Sequence, residues 1–185
     1  MILTGSAIRA AVDQGRITID PYLPAHTNPN SHGYRLGETL KVFTRVPVDP
    51  RTSPATKTIQ IPRRGYVLRP GRVYLGHTME RIGSEHFVTS LIGRSSVGRL
   101  GLFLQISADL AQLGAVHQWT LEMVATQRVR VYAGMVVGQV SFWSTMGAAM
   151  PYRGYYGGLS EASPYAPQAL AGGPALDLTQ GVHVA

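Results

Sequence analysis

Cysteine is missing from all 185 residues of the chain. Its absence excludes disulfides, thiolate nucleophiles, iron–sulfur clusters and every zinc site built on Cys ligands. Lysine is nearly missing as well: of 17 basic residues, 15 are arginine, leaving Lys41 and Lys57. Acidic residues number only 10, so the formal net charge is +7. Charged residues make up 15 % and hydrophobic ones 44 %, a balance that argues against wholesale disorder. No apolar run approaches the roughly 20 residues of a membrane span, and the first residues lack a signal-peptide pattern. The expectation is a soluble, cytoplasmic protein with no membrane partner. The length suits one domain with a real core, plus a tail.

What is abundant is arginine. Its planar fork suits carboxylates and phosphates, but GC-rich codon usage produces the same bias, and both explanations stay open. A nucleic-acid surface clusters basic residues with aromatics. Here the arginines run from Arg9 to Arg153 with one loose group at Arg63, Arg64, Arg69 and Arg72. No nucleic-acid partner is expected.

Thr4 to Gly15 reads as the one clear helix. Thr4 or Ser6 can cap it, Ile8, Ala11 and Val12 form an apolar stripe, and Gly15 stops it. Short β-like segments follow at 17–19, 35–46, 57–61, 65–68, 73–76, 100–107, 118–125, 128–132 and 135–143, punctuated by Pro and Gly. A mainly all-β barrel or sandwich opened by a single N-terminal helix is the predicted fold. Residues 1–145 form the domain. From Met146 to Ala185 the chain is rich in Gly, Ala, Pro and Tyr without a sustained period, and reads as a mobile or partner-ordered arm.

Two features carry chemistry. The first is Gly93-Arg94-Ser95-Ser96-Val97-Gly98-Arg99-Leu100-Gly101, where two hydroxyls and flexible backbone beside Arg94 suit a phosphate cradle. Arg99 lies within reach of the same ligand if the segment is a turn or short helical piece. An ordinary polar turn with two exposed arginines fits the same residues. The second feature is Glu122, the only carboxylate between Asp109 and Glu161. Strand alternation puts Trp119, Leu121 and Met123 on one face and Thr120, Glu122 and Val124 on the other. Partial desolvation in such an apolar strand raises a carboxyl toward general-base range; a solvated face or an inter-subunit salt bridge is the competing reading. The six histidines show no ligand spacing, so no metal site is expected.

These two features, in this order and 23 residues apart from Arg99 to Glu122, resemble the dCTP deaminase branch of the dUTPase-like trimeric nucleotide hydrolase family. The likeness extends over about residues 1–143. It includes Ile8 to Ala11, Gly15 to Pro21, Asn28 to Gly37, Leu68 to Gly71, Leu75 to Glu80, and the late Tyr132-Ala133-Gly134-Met135 with Gly138-Gln139. The resemblance implies a homotrimer of distorted β-barrels with sites between neighbouring subunits. It makes Glu122, Arg99 and Ser95 catalytic, with Arg94, Ser95 and Ser96 on the phosphates. It implies zinc-independent hydrolytic deamination of a cytosine nucleotide, with no tightly bound cofactor and Mg²⁺ arriving with the nucleotide phosphates. Zinc deaminases need a Cys pair and an H-x-E segment, both lacking here.

Departures from the pattern concern recognition. Gln112 stands in Ala111-Gln112-Leu113-Gly114 where the family has an Asp serving the sugar. Gln105 replaces a common His, Gly33 replaces an Asp, and Ala133 a Pro. The family's C-terminal Lys-Tyr-x-x-Gln corresponds at best to Pro164-Tyr165-Ala166-Pro167-Gln168, so Tyr165 and Gln168 remain as binding residues while the phosphate-contacting Lys is lost. These changes point to altered sugar or phosphate specificity. A dUTPase-type nucleoside triphosphate diphosphohydrolase and a non-catalytic nucleotide-binding trimer are the alternatives.

Overall fold

The computed structural model describes residues 1–49, 51–52, 54–105, 108–152 and 162–163. Helix α1 spans Gly5–Asp13. Thr4 caps it by accepting the Ala7 N–H through its hydroxyl at 3.4 Å. Ile8 and Ala11 go into the core, and Gly15 ends the helix at φ +68°, a conformation that costs a residue with a Cβ.

Strands follow as β1 (Thr18–Asp20), β2 (Thr27–Asn28), β3 (Ser31–Arg35), β4 (Thr39–Phe43), β5 (Thr56–Gln60), β6 (Tyr66–Leu68), β7 (Val73–His77), β8 (Arg81–Gly83) and β9 (Phe87–Gly93). The short helix α2 (Ser95–Gly98) comes next, then β10 (Leu102–Leu104), β11 (Val116–His117), β12 (Thr120–Ala125), β13 (Val129–Val131) and β14 (Val136–Ser144). The strands pair antiparallel in four sheets, ordered β1-β8-β11, β10-β12-β7-β4-β5, β13-β6 and β2-β3-β14-β9. An all-β architecture opened by one N-terminal helix is therefore what the chain adopts.

One core serves all four sheets, with Tyr34, Tyr74, Phe142, Ile8, Leu91 and Leu121 among its fully enclosed side chains. Tyr34 donates its hydroxyl to the Ile92 carbonyl at 3.0 Å. Burial, then the nearby Glu80 charge, pushes this phenol well above its ordinary pKa, so it stays a proton donor. Buried Glu80 pairs with the partly buried Arg35, whose Nε donates to Oε1 at 2.6 Å and whose backbone N–H donates to Oε2 at 2.9 Å. Thr78 Oγ1 donates to the Glu80 carbonyl at 2.7 Å and accepts the Trp119 N–H at 2.8 Å. These bonds pin the β7–β8 turn to β3 and to the start of β12.

The strand expected over 100–107 is shorter. α2 and its trailing turn occupy the chain up to Gly101, and Gln105 adopts φ 52° and bends the backbone away after Leu104. β2, β8, β9 and β11 are additional to the strand segments read from the sequence, and β3 meets the segment expected over 35–46 only at Arg35. β9 buries Thr89 and Ser90 beside Leu91, so period-two alternation never shows.

Candidate active site

Glu122 sits mid-strand in β12, opposite Leu75 of β7. The alternation is as expected: Leu121 and Met123 are fully enclosed while Glu122 is exposed. The expected desolvation is not there. Among the described residues no hydrogen bond or ion pair engages the carboxylate. Its backbone, by contrast, is held firmly. Gln105, 8 % exposed, accepts the Glu122 N–H through its side-chain carbonyl at 2.8 Å, and donates its own N–H to the Glu122 carbonyl at 3.4 Å. The Gln105 amide nitrogen bonds the Ala108 carbonyl at 3.4 Å. Gln105 is the one non-glycine at positive φ among the described residues. Its side chain replaces the carbonyl that its turned backbone withdraws from the β10–β12 ladder. In the sequence Gln105 shows only as a departure from a family pattern; its supporting role depends on a backbone angle that no composition signal reports.

Arg94, Ser95, Ser96 and Arg99 are all exposed, gathered around α2. Arg94 precedes the helix in extended conformation, and its carbonyl accepts the Val97 and Gly98 N–H groups at 3.0 and 2.8 Å. Val97 turns into the core and anchors the segment, leaving the two arginines and two hydroxyls facing outward. The short helical piece envisaged from the sequence is present, and it brings these four side chains together.

It does not bring them to Glu122. α2 adjoins the start of β10, where the Thr126 N–H bonds the Gly101 carbonyl at 2.8 Å. Glu122 lies four residues back along extended β12, about 13 Å from Thr126 at strand rise. The signature segment and the lone carboxylate therefore occupy opposite ends of the β10–β12 pair. Gln112 lies apart from both, exposed in a tight turn closed by the Ala115 N–H on the Gln112 carbonyl at 3.2 Å. Tyr165 and Gln168 lie outside the described residues.

The outward face around Glu122 holds residues that sequence reading did not single out. Lys41 of β4 also stands opposite Leu75, and Thr58 of β5 stands opposite Lys41. His77 pairs with Thr120. A hollow of about 610 Å³ opens there, bounded by Thr39, Lys41, Thr58, His77 and Gln118. Three strands distant in sequence and the link between β11 and β12 contribute to it, so no local motif announces it. No group of three His, Asp or Glu side chains is placed to hold a metal ion among the described residues. Nor is any helix among them long and apolar enough to cross a membrane.

Residues 2–145 match the family model described as dCTP deaminase-like. The chain belongs to the dCTP deaminase-like family. A Leptospira biflexa protein named dCTP deaminase, dUMP-forming, is 39 % identical over 83 % of this chain and 87 % of the relative. A Hathewaya histolytica protein of the same name is 38 % identical over 82 % of this chain and 88 % of its own. A Rhodopirellula baltica protein named dCTP deaminase is 37 % identical over 80 % and 74 %. In fold the chain resembles the crystal structure of 2'-deoxycytidine 5'-triphosphate deaminase from Agrobacterium tumefaciens, with a TM-score of 0.61 at 24 % identity over 76 % of this chain. It spans about half of that solved chain, 47 %.

Proposed function

We propose that this family member is a hydrolytic deaminase of a cytosine nucleotide. It acts as a homotrimer of dUTPase-like barrels in which Glu122 of one chain faces Arg94, Ser95, Ser96 and Arg99 of its neighbour. The carrying observation is the separation of the two features: a family member exposes Glu122 and its signature segment at opposite ends of a strand pair, with neither carboxylate nor guanidinium in an ion pair among the described residues. A site that needs both is completed by a second copy, which also covers the exposed face of the β10–β12–β7 sheet.

In such a site Arg94, Ser95 and Ser96 hold the phosphates by charge-assisted and hydroxyl hydrogen bonds. Glu122 takes a proton from a water positioned by Ser95 as the oxygen adds to C4 of cytosine. That proton passes to N3, and Arg99 steadies the charge that builds on the ring. The tetrahedral intermediate then collapses by breaking the C4–N4 bond. N4 takes a proton and ammonia leaves, so that one water has been added and the base is uracil. The neighbouring chain closes the site over Glu122 and brings Arg99 beside the reacting base. Mg²⁺ enters with the substrate phosphates.

The names of the Leptospira and Hathewaya relatives favour one refinement, release of diphosphate to leave a monophosphate. Gln112, standing in place of the family Asp, bears on it directly. A single incubation with dCTP, CTP, dCMP, CMP and dUTP, followed for ammonia and diphosphate, tests the reading. Ammonia from dCTP and none from dUTP is the expected result, with diphosphate appearing if the refinement holds. Diphosphate from dUTP without ammonia from any cytosine nucleotide establishes the dUTPase-type reaction instead. Tight nucleotide binding with neither product establishes a non-catalytic trimer.

A further inference from the structure

The arginines are less scattered in space than in sequence. Arg63, Arg64, Arg69 and Arg72 lie on the turns either side of β6, and β13 pairs with β6 so that Arg130 stands opposite Val67. Arg130 Nη1 donates to the Arg64 carbonyl at 3.0 Å, and Arg128 lies just before β13. All six are exposed, and among the described residues none pairs with a carboxylate. Residues 61–73 and 126–132 contain no Asp or Glu. Six of the seven net positive charges therefore sit on this one ribbon, and the rest of the chain is within one charge of neutral.

The ribbon also leads somewhere. The Gln127 side-chain amide donates to the Leu100 carbonyl at 3.1 Å, and the Thr126 N–H donates to that of Gly101 at 2.8 Å. Arg128 follows Gln127 and Arg99 precedes Leu100, so the two adjoin across this seam. The start of the ribbon therefore abuts the end of the signature segment of the same chain.

We propose that the β6–β13 ribbon is a capture surface for the phosphate tail of the nucleotide, delivering it to Arg94–Arg99; this rests on the reading of the protein as a nucleotide enzyme. Clustered like charge that no carboxylate among the described residues neutralises focuses an attractive field on polyanions and raises association rates by about 10–10³-fold. The field extends about 8 Å at physiological ionic strength, enough to bridge neighbouring arginines. Guanidinium forks match phosphate oxygens better than ammonium groups do. A nucleic-acid strand is the weaker fit because a strand track needs successive stacking rings, and Tyr132, 45 % exposed, is the one well-exposed aromatic on the ribbon.

Surface plasmon resonance on the immobilised full-length chain tests the proposal. The probes are dCTP, inorganic tripolyphosphate and a single-stranded DNA of about 20 nucleotides. One triple variant, Arg69→Gln, Arg72→Gln and Arg128→Gln, removes ribbon charge; another, Arg9→Gln, Arg45→Gln and Lys57→Gln, removes as much charge elsewhere. For the ribbon triple, association with dCTP and with tripolyphosphate should slow about tenfold at low salt. The difference should vanish near about 0.5 M salt, where screening shortens the field to a few ångströms. The other triple should stay near the parent. Equal slowing in both triples, or none in the ribbon triple, overturns the proposal. So does ribbon-dependent DNA binding much tighter than dCTP binding, which assigns the surface to nucleic acid. A chain that releases no ammonia yet shows ribbon-dependent tripolyphosphate capture defeats the enzymatic reading and leaves the capture surface standing.

Discussion

Glu80 and Glu122 are both glutamates next to β7, and the chain treats them in opposite ways. Glu80 is 1 % exposed; both its oxygens are taken by Arg35, and its carbonyl by Thr78. Every one of these bonds closes within the subunit. Glu122 is exposed and its carboxylate has no partner among the described residues, while its backbone is clamped on both sides by Gln105. A carboxylate built for stability is paired where it is buried. One held by its backbone and left open at its head is free to meet a group from outside the chain. The same contrast separates Val97, which anchors α2 from inside, from Arg94 and Arg99, which it leaves facing out.

Exchanging the fates of the two glutamates is the sharpest way to break the comparison. Glu122→Gln keeps shape and removes the proton acceptor, so turnover should fall by about 10²–10⁴-fold with melting temperature held or slightly raised. Activity and melting temperature measured on that one variant decide it; an unstable protein with full activity per folded trimer would move Glu122 into the structural class. Glu80→Ala should do the reverse, costing about 3–5 kcal/mol of stability by leaving the partly buried Arg35 without its partner. Denaturant unfolding reads this loss, and a midpoint equal to the parent's would show that the clamp does not hold the β7–β8 turn. At the signature segment, Arg94→Ala should weaken nucleotide binding by roughly 1.5–3 kcal/mol without disturbing the fold, as titration calorimetry would register; unchanged affinity removes Arg94 from the phosphate contacts.

A pH-dependent effect belongs to a buried base. His32 stacks on Tyr22 with ring centroids 4.8 Å apart, and burial, then the nearby His26, lowers its pKa to about 4. The unfolded chain, with an ordinary His pKa near 6.5, binds more protons than the folded one between these values. Stability should thus be fully present above about pH 6.5 and fall as pH drops toward 4. A decline in melting temperature of roughly 6–12 °C across that window is the expected scale for a domain of this size. Scans of the parent and His32→Gln should differ in slope there, and parallel curves would locate the acid sensitivity elsewhere.

How much of the molecule is legible in its sequence follows from the physics of each element. α1 is readable because its cap, its stripe and Gly15 are local signals. β12 is readable because one face is apolar, and the same alternation places Glu122 outward. β9 is not, because Thr89 and Ser90 are buried polar residues that blur the pattern. The signature segment is recognisable through residue types and spacing, and α2 gathers it as expected. Desolvation of Glu122 is wrongly expected within the chain, since alternation assigns a residue to a face but says nothing of what covers that face. The arginine ribbon stays hidden because pairing β6 with β13 joins segments some sixty residues apart.

The central claim is that Glu122 and the signature segment work together only across two chains, and subunit mixing tests it most directly. Glu122→Gln and Ser95→Ala homotrimers should each be nearly inactive. Co-expressed in equal amounts, the two variants should form mixed trimers in which some sites draw an intact Glu122 from one chain and an intact Ser95 from another. For random assembly of shared sites about a quarter of parental activity should return. Mixed trimers, verified by tagged co-purification, that stay as inactive as the separate variants would show that each site is complete within a single chain and would contradict the shared-site arrangement.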